Sequence, residues 1–144
     1  MYKHILIATD GSELAQKAVT SGLALAKALG AKVTAVMATE PWTAMVSGEP
    51  GLAFPVDQYE KEAAENAARV LASVREAAKK QDVACETVNV KDFPAEGIIA
   101  TAKAEGCDLI VMSSHGRRGL AKILLGSQAS QVATLSTVPV LICR

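Results

Sequence analysis

Short, continuous apolar runs alternate along the chain with longer segments in which apolar residues recur at helical spacing. The run HILIA, residues 4 to 8, stops at the turn residues TDGS, which is typical of a strand buried on both faces. From Glu13 to Leu29 the spacing predicts an amphipathic helix. Asp10 or Ser12 can cap its start, and Gly30 supplies its stop.

The same alternation continues through the rest of the sequence. Further strand-like runs are KVTAVMA from Lys32, CETVNV from Cys85, DLIVMSS from Asp108 and VPVLIC over residues 138 to 143. The stretch from Pro41 to Pro55 is rich in Gly and Pro and predicts a loop. Three more helices are predicted: one with an apolar face of Ala63, Ala67, Val70, Leu71, Val74 and Ala78, one from Ala95 to about Ala104 with Pro94 in its first turn, and one from Ser127 to Leu135.

Strands that alternate with helices form parallel sheets, because right-handed crossovers place the helices on both faces. We therefore expect an α/β fold with an open, Rossmann-like sheet of five parallel strands. Ligands bind such sheets beyond the carboxyl ends of the strands, where the strand order reverses. If the first strand is central, with the second and fourth strands beside it, the loops ATDGS and SSHGRRGLAKILLGS flank that point.

Composition narrows the classes of ligand. Residues are 50% hydrophobic but only 3% aromatic, so base-stacking platforms for single-stranded nucleic acid are not expected. Fifteen Lys and Arg balance fifteen Asp and Glu, which leaves no net field to hold a nucleic-acid backbone or an acidic membrane. We expect neither partner, and any anion site must be local.

The length of the chain, its apolar runs and its cysteines indicate the number of domains and the cellular location. We expect a single domain over residues 1–144, because a chain of this size can bury one core. No apolar run is long enough for a membrane span, and MYKHILIATDG does not have the pattern of a signal peptide, so we expect a cytoplasmic protein. Cys85, Cys107 and Cys143 lack a CxxC pair or metal spacing and are interpreted as packing residues.

The segment SSHGRRGLAKILLGS, residues 113 to 127, contains two small-residue turns. The first follows the fourth strand and leaves main-chain N–H groups approachable by a ligand. The second begins a helix whose N-terminal N–H groups and partial positive charge favour a phosphate. The small residues are Ser113, Ser114 and Gly116 in the first turn and Gly126 and Ser127 in the second.

The same residues have plainer interpretations. Gly116 can be an ordinary turn glycine, the pair Arg117 and Arg118 either a mobile charge or a solvated face, and Asp10 a helix cap. His115 is expected to be exposed. The spacing matches neither the phosphate loop GxxxxGK[ST] nor the dinucleotide pattern GxGxxG.

Three separated stretches resemble the universal stress protein family: ILIATDGSELAQKA, DLIVMSSHGRRGLAKILLGSQASQVA and TVPVLICR. The resemblance covers the whole chain and implies an adenine nucleotide alpha hydrolase-like sheet with strand order 3-2-1-4-5. The family's ATP-binding members carry a glycine, two residues, a second glycine, nine residues, then glycine and Ser or Thr. Gly116, residues 117 to 125 and Gly126-Ser127 match the latter part, whereas Ser113 replaces the first glycine.

The resemblance implies ATP or another adenine nucleotide as ligand, with or without Mg²⁺. Small apolar groups suit a flat base, a carboxylate suits ribose hydroxyls, and amides at a helix end suit phosphates. Carried over by position, the binding residues are Ala8, Thr9 and Asp10 at the adenine and ribose end, Ala38 against the base, Met112 and Ser113 at the end of the fourth strand, and Gly116, Gly126, Ser127 and Gln128 at the phosphate end.

Ser113 adds a Cβ and a hydroxyl where the family's backbone approaches the ligand. This substitution is costly if the residue has a positive φ and tolerable if its φ is negative. The hydroxyl could donate to ribose or phosphate. If the side chain instead obstructs the ligand, Ser113→Gly is expected to tighten binding.

The sequence lacks the groups of a competent catalyst. Phosphoryl transfer needs a metal-holding carboxylate near the phosphates and a positioned nucleophile, and no second acid accompanies Asp10 on the phosphate side. We expect at most slow ATP hydrolysis, and no small hydrolase or transferase. The favoured function is a nucleotide-responsive stress or regulatory protein with an unidentified protein partner. The alternative is a dimeric interaction module with a vestigial pocket.

The last strand predicts an assembly. Pro139 cannot donate a ladder hydrogen bond, which places this strand at a sheet edge, and an open apolar edge is a template for another chain. Members of the resembled family pair their final strands across a two-fold axis. We therefore expect a homodimer in which Val138 to Cys143 lie antiparallel to their symmetry mates. A monomer whose helices shield the edge is the alternative.

Overall fold

A computed structural model describes residues 1–45, 54–115 and 125–144. The strands lie in the order β3-β2-β1-β4-β5, and all neighbouring pairs are parallel, as predicted. The strands are β1 His4–Ala8, β2 Lys32–Thr39, β3 Cys85–Lys91, β4 Leu109–Ser113 and β5 Val140–Cys143. The helices are α1 Glu13–Leu29, α2 Val56–Lys80, α3 Pro94–Glu105 and α4 Ser127–Leu135, with a short 3₁₀ helix at Trp42–Met45.

Helices pack on both faces of the sheet and divide the core into two layers. Successive side chains of a strand point to opposite faces, so Ile5 and Ile7 of β1 pack with α1 and α2, whereas Leu6 packs with α3 and α4. All residues of β1 and β4 are buried. Full burial of one such aliphatic side chain stabilises the folded state by about 1.5–3 kcal/mol. The two central strands therefore hold the loops that follow them in place.

The helix termini follow the residues that the sequence offers. Ser12, not Asp10, caps α1, because its Oγ accepts a hydrogen bond from the Ala15 N–H at 3.1 Å. Gly30 ends the helix with φ 66°, a conformation that glycine adopts at little cost. Pro94 is the first residue of α3, where its missing N–H is not needed. Among the described helices, none is both long and apolar enough to cross a membrane.

Several predicted boundaries shift by about one residue, and the last strand and the loop after β2 differ more clearly. The last strand begins at Val140 rather than residue 138, because a local turn engages Val138: Ser136 Oγ donates to its carbonyl at 2.7 Å and accepts from its N–H at 3.1 Å. Pro139 only accepts, from the Ile110 N–H at 3.0 Å. The predicted loop from Pro41 contains the 3₁₀ helix, and its residues 46 to 53 lie outside the described part of the chain.

The cysteines are free thiols, and the best buried of them belongs to the core. Cys107 packs with α3 and α4. Burial, aided by the negative charge of Glu105, raises the pKa of Cys107 to about 11. Because the thiol is therefore protonated at neutral pH, it is a poor nucleophile, which agrees with its interpretation as a packing residue.

Candidate functional site

A cavity of about 450 Å³ lies at the carboxyl ends of the central strands, where the chain continues from β1 to β2 on one side and from β4 to β5 on the other. Its volume is within the range of small-molecule sites. Every predicted binding residue that the structure describes lines it: Ala8, Thr9, Asp10, Ala38, Met112, Ser113, Gly126, Ser127 and Gln128. The other predicted residue, Gly116, lies outside the described residues, as do Arg117 and Arg118.

Much of the cavity wall consists of apolar residues that sequence reasoning did not assign to the site. Except for Pro94, they are also buried in the core, and an apolar periodicity does not show which core residues border a cavity. Only their placement near strand ends and helix starts could have indicated them. These residues are Ala15, Val36, Met37, Pro94, Ile98 and Ala129.

The loop after β1 forms an acidic corner of the cavity. The Thr9 N–H donates to the Val36 carbonyl at 3.0 Å, which extends the pairing of β1 with β2 by one bond. The Asp10 carboxylate accepts from the Ser12 N–H at 2.9 Å. Gly11, at φ 80°, makes the tight turn between them. Asp10 is thus half-buried at the cavity wall, where a carboxylate can accept hydrogen bonds from ligand hydroxyls.

The start of α4 forms another wall, with donors instead of acceptors. The first intrahelical bond runs from the Ser130 N–H to the Gly126 carbonyl at 2.9 Å. The N–H groups of Ser127, Gln128 and Ala129 precede this bond and have no partner within the helix. Gly126, at the N-cap position, has no side chain that could accept from them. All three residues line the cavity. The helix start therefore presents main-chain donors and a partial positive charge suited to an anion.

The Gln128 side chain has a structural role. Its Oε1 accepts from the Ala95 N–H at 3.0 Å and so caps the start of α3. This bond ties the first turns of α3 and α4 together at the rim of the cavity. The main-chain N–H of Gln128 is not used in this bond and can donate to an anion.

The turn after β4 is held by hydrogen bonds of two buried serines. Ser113 Oγ donates to the His115 carbonyl at 2.7 Å. The Ser114 N–H donates to the Cys143 carbonyl and the Ser114 carbonyl accepts from the Gly126 N–H, both at 2.8 Å. These bonds join β4, β5 and the start of α4 into one frame around the cavity.

Ser113 is compatible with the backbone of this turn. Among the described residues, Asp82 is the one non-glycine residue with positive φ, so Ser113 adopts a negative φ that a side chain tolerates. Its hydroxyl proton is directed to the His115 carbonyl. The hydroxyl is therefore engaged within the turn in this structure, and its role as a ligand donor stays a prediction.

His115 differs from its prediction. It is half-buried and lines the cavity, so the expectation of an exposed side chain was wrong. Nδ1 lies 3.1 Å from Ser114 Oγ, while Nε2 is inaccessible to solvent and has no hydrogen-bond partner among the described residues. A Cβ at Gly126 would stand 2.8 Å from the Ser114 carbonyl oxygen and 3.2 Å from His115 Cδ2. Glycine is therefore needed for the close approach of α4.

Glu40 and Tyr59 complete the wall near the end of β2 and were not predicted. Tyr59, on α2, donates its hydroxyl proton to the Glu40 carbonyl at 2.8 Å. Its ring packs edge-on against Phe54, with ring centroids 5.8 Å apart, and Phe54 stacks on Trp42 at 6.0 Å. Glu40 and Tyr59 lie on either side of the predicted loop from Pro41 to Pro55, and no sequence motif connects them.

Comparisons with known proteins agree over the full chain. The model of the universal stress protein family matches residues 1–144. Universal stress protein YxiE of Bacillus subtilis is 32% identical, over 100% of both chains. The solved structure of MJ0577, a universal stress protein of Methanocaldococcus jannaschii, has a TM-score of 0.85 and 28% identity, over 99% of this chain and 96% of that one. A universal stress protein solved in complex with cAMP has a TM-score of 0.74 and 28% identity, over 99% and 97% of the two chains.

Proposed function

Because the chain belongs to the universal stress protein family, we propose that it binds an adenine nucleotide in the 450 Å³ cavity and acts as a nucleotide-responsive regulatory protein in stress. One observation carries the proposal. A single cavity combines an apolar wall, a half-buried carboxylate at Asp10 and the uncapped start of α4. A nucleotide has the matching parts, namely a flat base, ribose hydroxyls and an anionic phosphate.

The arrangement of the walls gives an orientation for the ligand. The base packs against the small apolar residues Ala8 and Ala38, which lie at or next to the carboxyl ends of β1 and β2, and the ribose hydroxyls donate to Asp10. The phosphate accepts from the N–H groups of Ser127 and Gln128 at the start of α4. The relative solved with cAMP supports an adenine nucleotide as the class of ligand.

The alternative is an interaction module whose pocket no longer binds a ligand. One feature favours binding over this alternative. The residues at the uncapped start of α4, Ser127, Gln128 and Ala129, line the cavity. Every helix start has such unpaired N–H groups, but here they border a cavity of ligand size, where an anion can accept their hydrogen bonds.

Mass spectrometry of ligand released from freshly purified protein tests the proposal. We expect an adenine nucleotide in the wild type and a loss of it in Gly126→Val, whose side chain would displace the start of α4. Incubation of both proteins with AMP, ADP and ATP before rapid gel filtration provides a second reading. An absence of bound nucleotide from the wild type in both experiments would favour the interaction module.

A further inference from the structure

We propose that His115 is a specificity-determining residue that distinguishes nucleotides from nucleosides, because its Nε2–H donates a hydrogen bond to a phosphate oxygen of the ligand. This inference rests on the proposed function and identifies one side-chain atom within it. It concerns a residue outside the glycine and serine pattern by which the phosphate end was predicted.

The first observation is an unsatisfied nitrogen beside the cavity. His115 lines the cavity, yet its Nε2 has neither water access nor a hydrogen-bond partner among the described residues. Nearly all buried polar atoms in proteins are hydrogen-bonded, because an unpaired one retains its desolvation penalty. Because this nitrogen has no solvent access in the structure, the ring must turn towards the cavity for a ligand to supply the partner and remove that penalty.

The second observation is the contact on the other side of the ring. Nδ1 lies 3.1 Å from Ser114 Oγ, and Ser114 is 4% exposed, so the hydroxyl is held inside the turn. When Ser114 donates to Nδ1, the ring proton is on Nε2, and Nε2 is then a donor. A donor needs an acceptor, and phosphate oxygens are strong ones.

The third observation is the position of the ring at the anion-favouring wall. An ideal Cβ on Gly126 would stand 3.2 Å from His115 Cδ2, the ring carbon bonded to Nε2. Gly126 is the residue from which α4 starts. The edge of the ring that carries Nε2 is therefore next to the N–H groups that receive the phosphate in the proposed orientation, and the imidazole adds a side-chain donor to them.

Two substitutions separate the two nitrogens of the ring. The amide of Asn superimposes on Nδ1 and has nothing at Nε2, whereas the amide nitrogen of Gln reaches the position of Nε2 and can donate there. His115→Asn therefore removes the proposed phosphate donor but keeps a partner for Ser114. His115→Gln keeps the donor and loses the contact with Ser114.

The experiment is titration calorimetry of the intact chain with AMP and with adenosine. We expect the wild type to prefer AMP, His115→Gln to keep the ratio of the two affinities within about threefold, and His115→Asn to lower it about tenfold. Adenosine affinity is expected to stay unchanged in both variants. Thermal unfolding without ligand is the control for folding, and neither variant is expected to lose stability beyond the small effect of the Ser114 contact.

A second measurement needs no variant of His115. Imidazole nitrogen resonances of the wild type, assigned with a variant of the other histidine, His4→Gln, are expected to show a shift of His115 Nε2 on addition of AMP but not of adenosine.

Each contrary result has a distinct meaning. An unchanged affinity ratio in His115→Asn, an equal loss in both variants, or no AMP-specific resonance shift would overturn the role of Nε2 while leaving nucleotide binding intact. If the wild type binds neither adenosine nor AMP at about 1 mM, the proposed function fails, and this inference fails with it.

Discussion

The Ser113 hydroxyl donates a hydrogen bond within the turn after β4, and the loss of this bond determines how substitution of Ser113 should affect ligand affinity. Removal of the bond to the His115 carbonyl in Ser113→Ala loosens the turn by about 1 kcal/mol, and we expect AMP affinity to fall about fivefold. Ser113→Gly adds backbone freedom and should weaken binding at least as much. Titration calorimetry of both variants checks this. Tighter binding by the glycine variant would show that the side chain obstructs the ligand, as the sequence alone had allowed.

The buried His4 makes stability depend on pH. Its Nε2 lies 2.8 Å from Thr34 Oγ1, and burial, aided by the positive charge of Lys32, lowers the pKa of His4 below 6.5 despite the opposing charges of Glu105 and Asp108. The unfolded chain therefore binds a proton more readily, so this contribution is complete above pH 6.5 and is lost as the pH falls.

Urea unfolding at about pH 7.5 and about pH 5.5 tests this role of His4. We expect the free energy of unfolding to fall more for the wild type than for His4→Gln, which keeps a hydrogen-bonding group near Thr34 but does not titrate. All other titratable groups are common to the two proteins. Parallel pH profiles would contradict the assignment.

The side chains that line the cavity were predicted less completely from the sequence than the helices and strands. The pattern of small residues identified Ser113, Gly126 and their neighbours as candidates, and the structure brings the described ones together. The pattern could not identify His115, because a polar residue in a turn is commonly exposed, whereas here the start of α4 lies against it. Nor could it identify Tyr59, whose place depends on packing across the loop that precedes α2.

At the scale of elements, the start of α4 depends on one glycine. Gly126 has φ −68°, which any residue can adopt, so its requirement is spatial: a side chain would collide with the Ser114 carbonyl. We expect Gly126→Val to destabilise the protein by about 1–3 kcal/mol and to weaken AMP binding by more than tenfold, because the helix start must move. Chemical denaturation and titration calorimetry measure the two effects.

Gly106→Ala is the matched control for this change. Gly106 has φ 68°, and a Cβ there meets no atom within 4 Å, so the substitution introduces backbone strain of about 1–2 kcal/mol without a collision. Gly106 ends α3 away from the cavity lining. We expect a comparable loss of stability with unchanged AMP affinity. Equal losses of affinity in the two variants would mean that Gly126 acts only through global stability.

Strands and helices were predictable because hydrophobic periodicity and terminal residues acted together, whereas the strand order came from the resemblance to a known family. Ser12, Gly30 and Pro94 mark helix ends through local chemistry that the sequence displays. The start of β5 was misplaced because the Ser136 hydroxyl competes for the backbone of Val138, and the apolar pattern does not register that competition.

At the scale of the whole molecule, the two edges of the sheet differ in character. The β3 edge carries the exposed charges of Glu86 and Lys91, and charges of this kind discourage pairing with another chain. The β5 edge is the apolar sequence VLIC, in which Leu141 is 41% exposed. We therefore propose a homodimer that pairs the segment from Val138 to Cys143 with its symmetry mate, centred on β5.

Analytical ultracentrifugation at micromolar concentrations tests this assembly. We expect a wild-type dimer that Leu141→Lys dissociates, because lysine places a charge in the paired edge. Leu135→Lys is the matched control, since Leu135 is 62% exposed on α4 and lies off the edge strand. A wild-type monomer, or dissociation by both substitutions alike, would contradict pairing through β5.

Titration calorimetry of the intact chain with AMP and with ATP, with and without Mg²⁺, measures adenine nucleotide binding in the cavity. We expect a dissociation constant in the micromolar range, a binding free energy on the order of −7 kcal/mol, for at least one of these ligands and the loss of this binding in Gly126→Val. An absence of heat with every ligand at about 1 mM, from wild-type protein shown to be folded, would contradict this expectation.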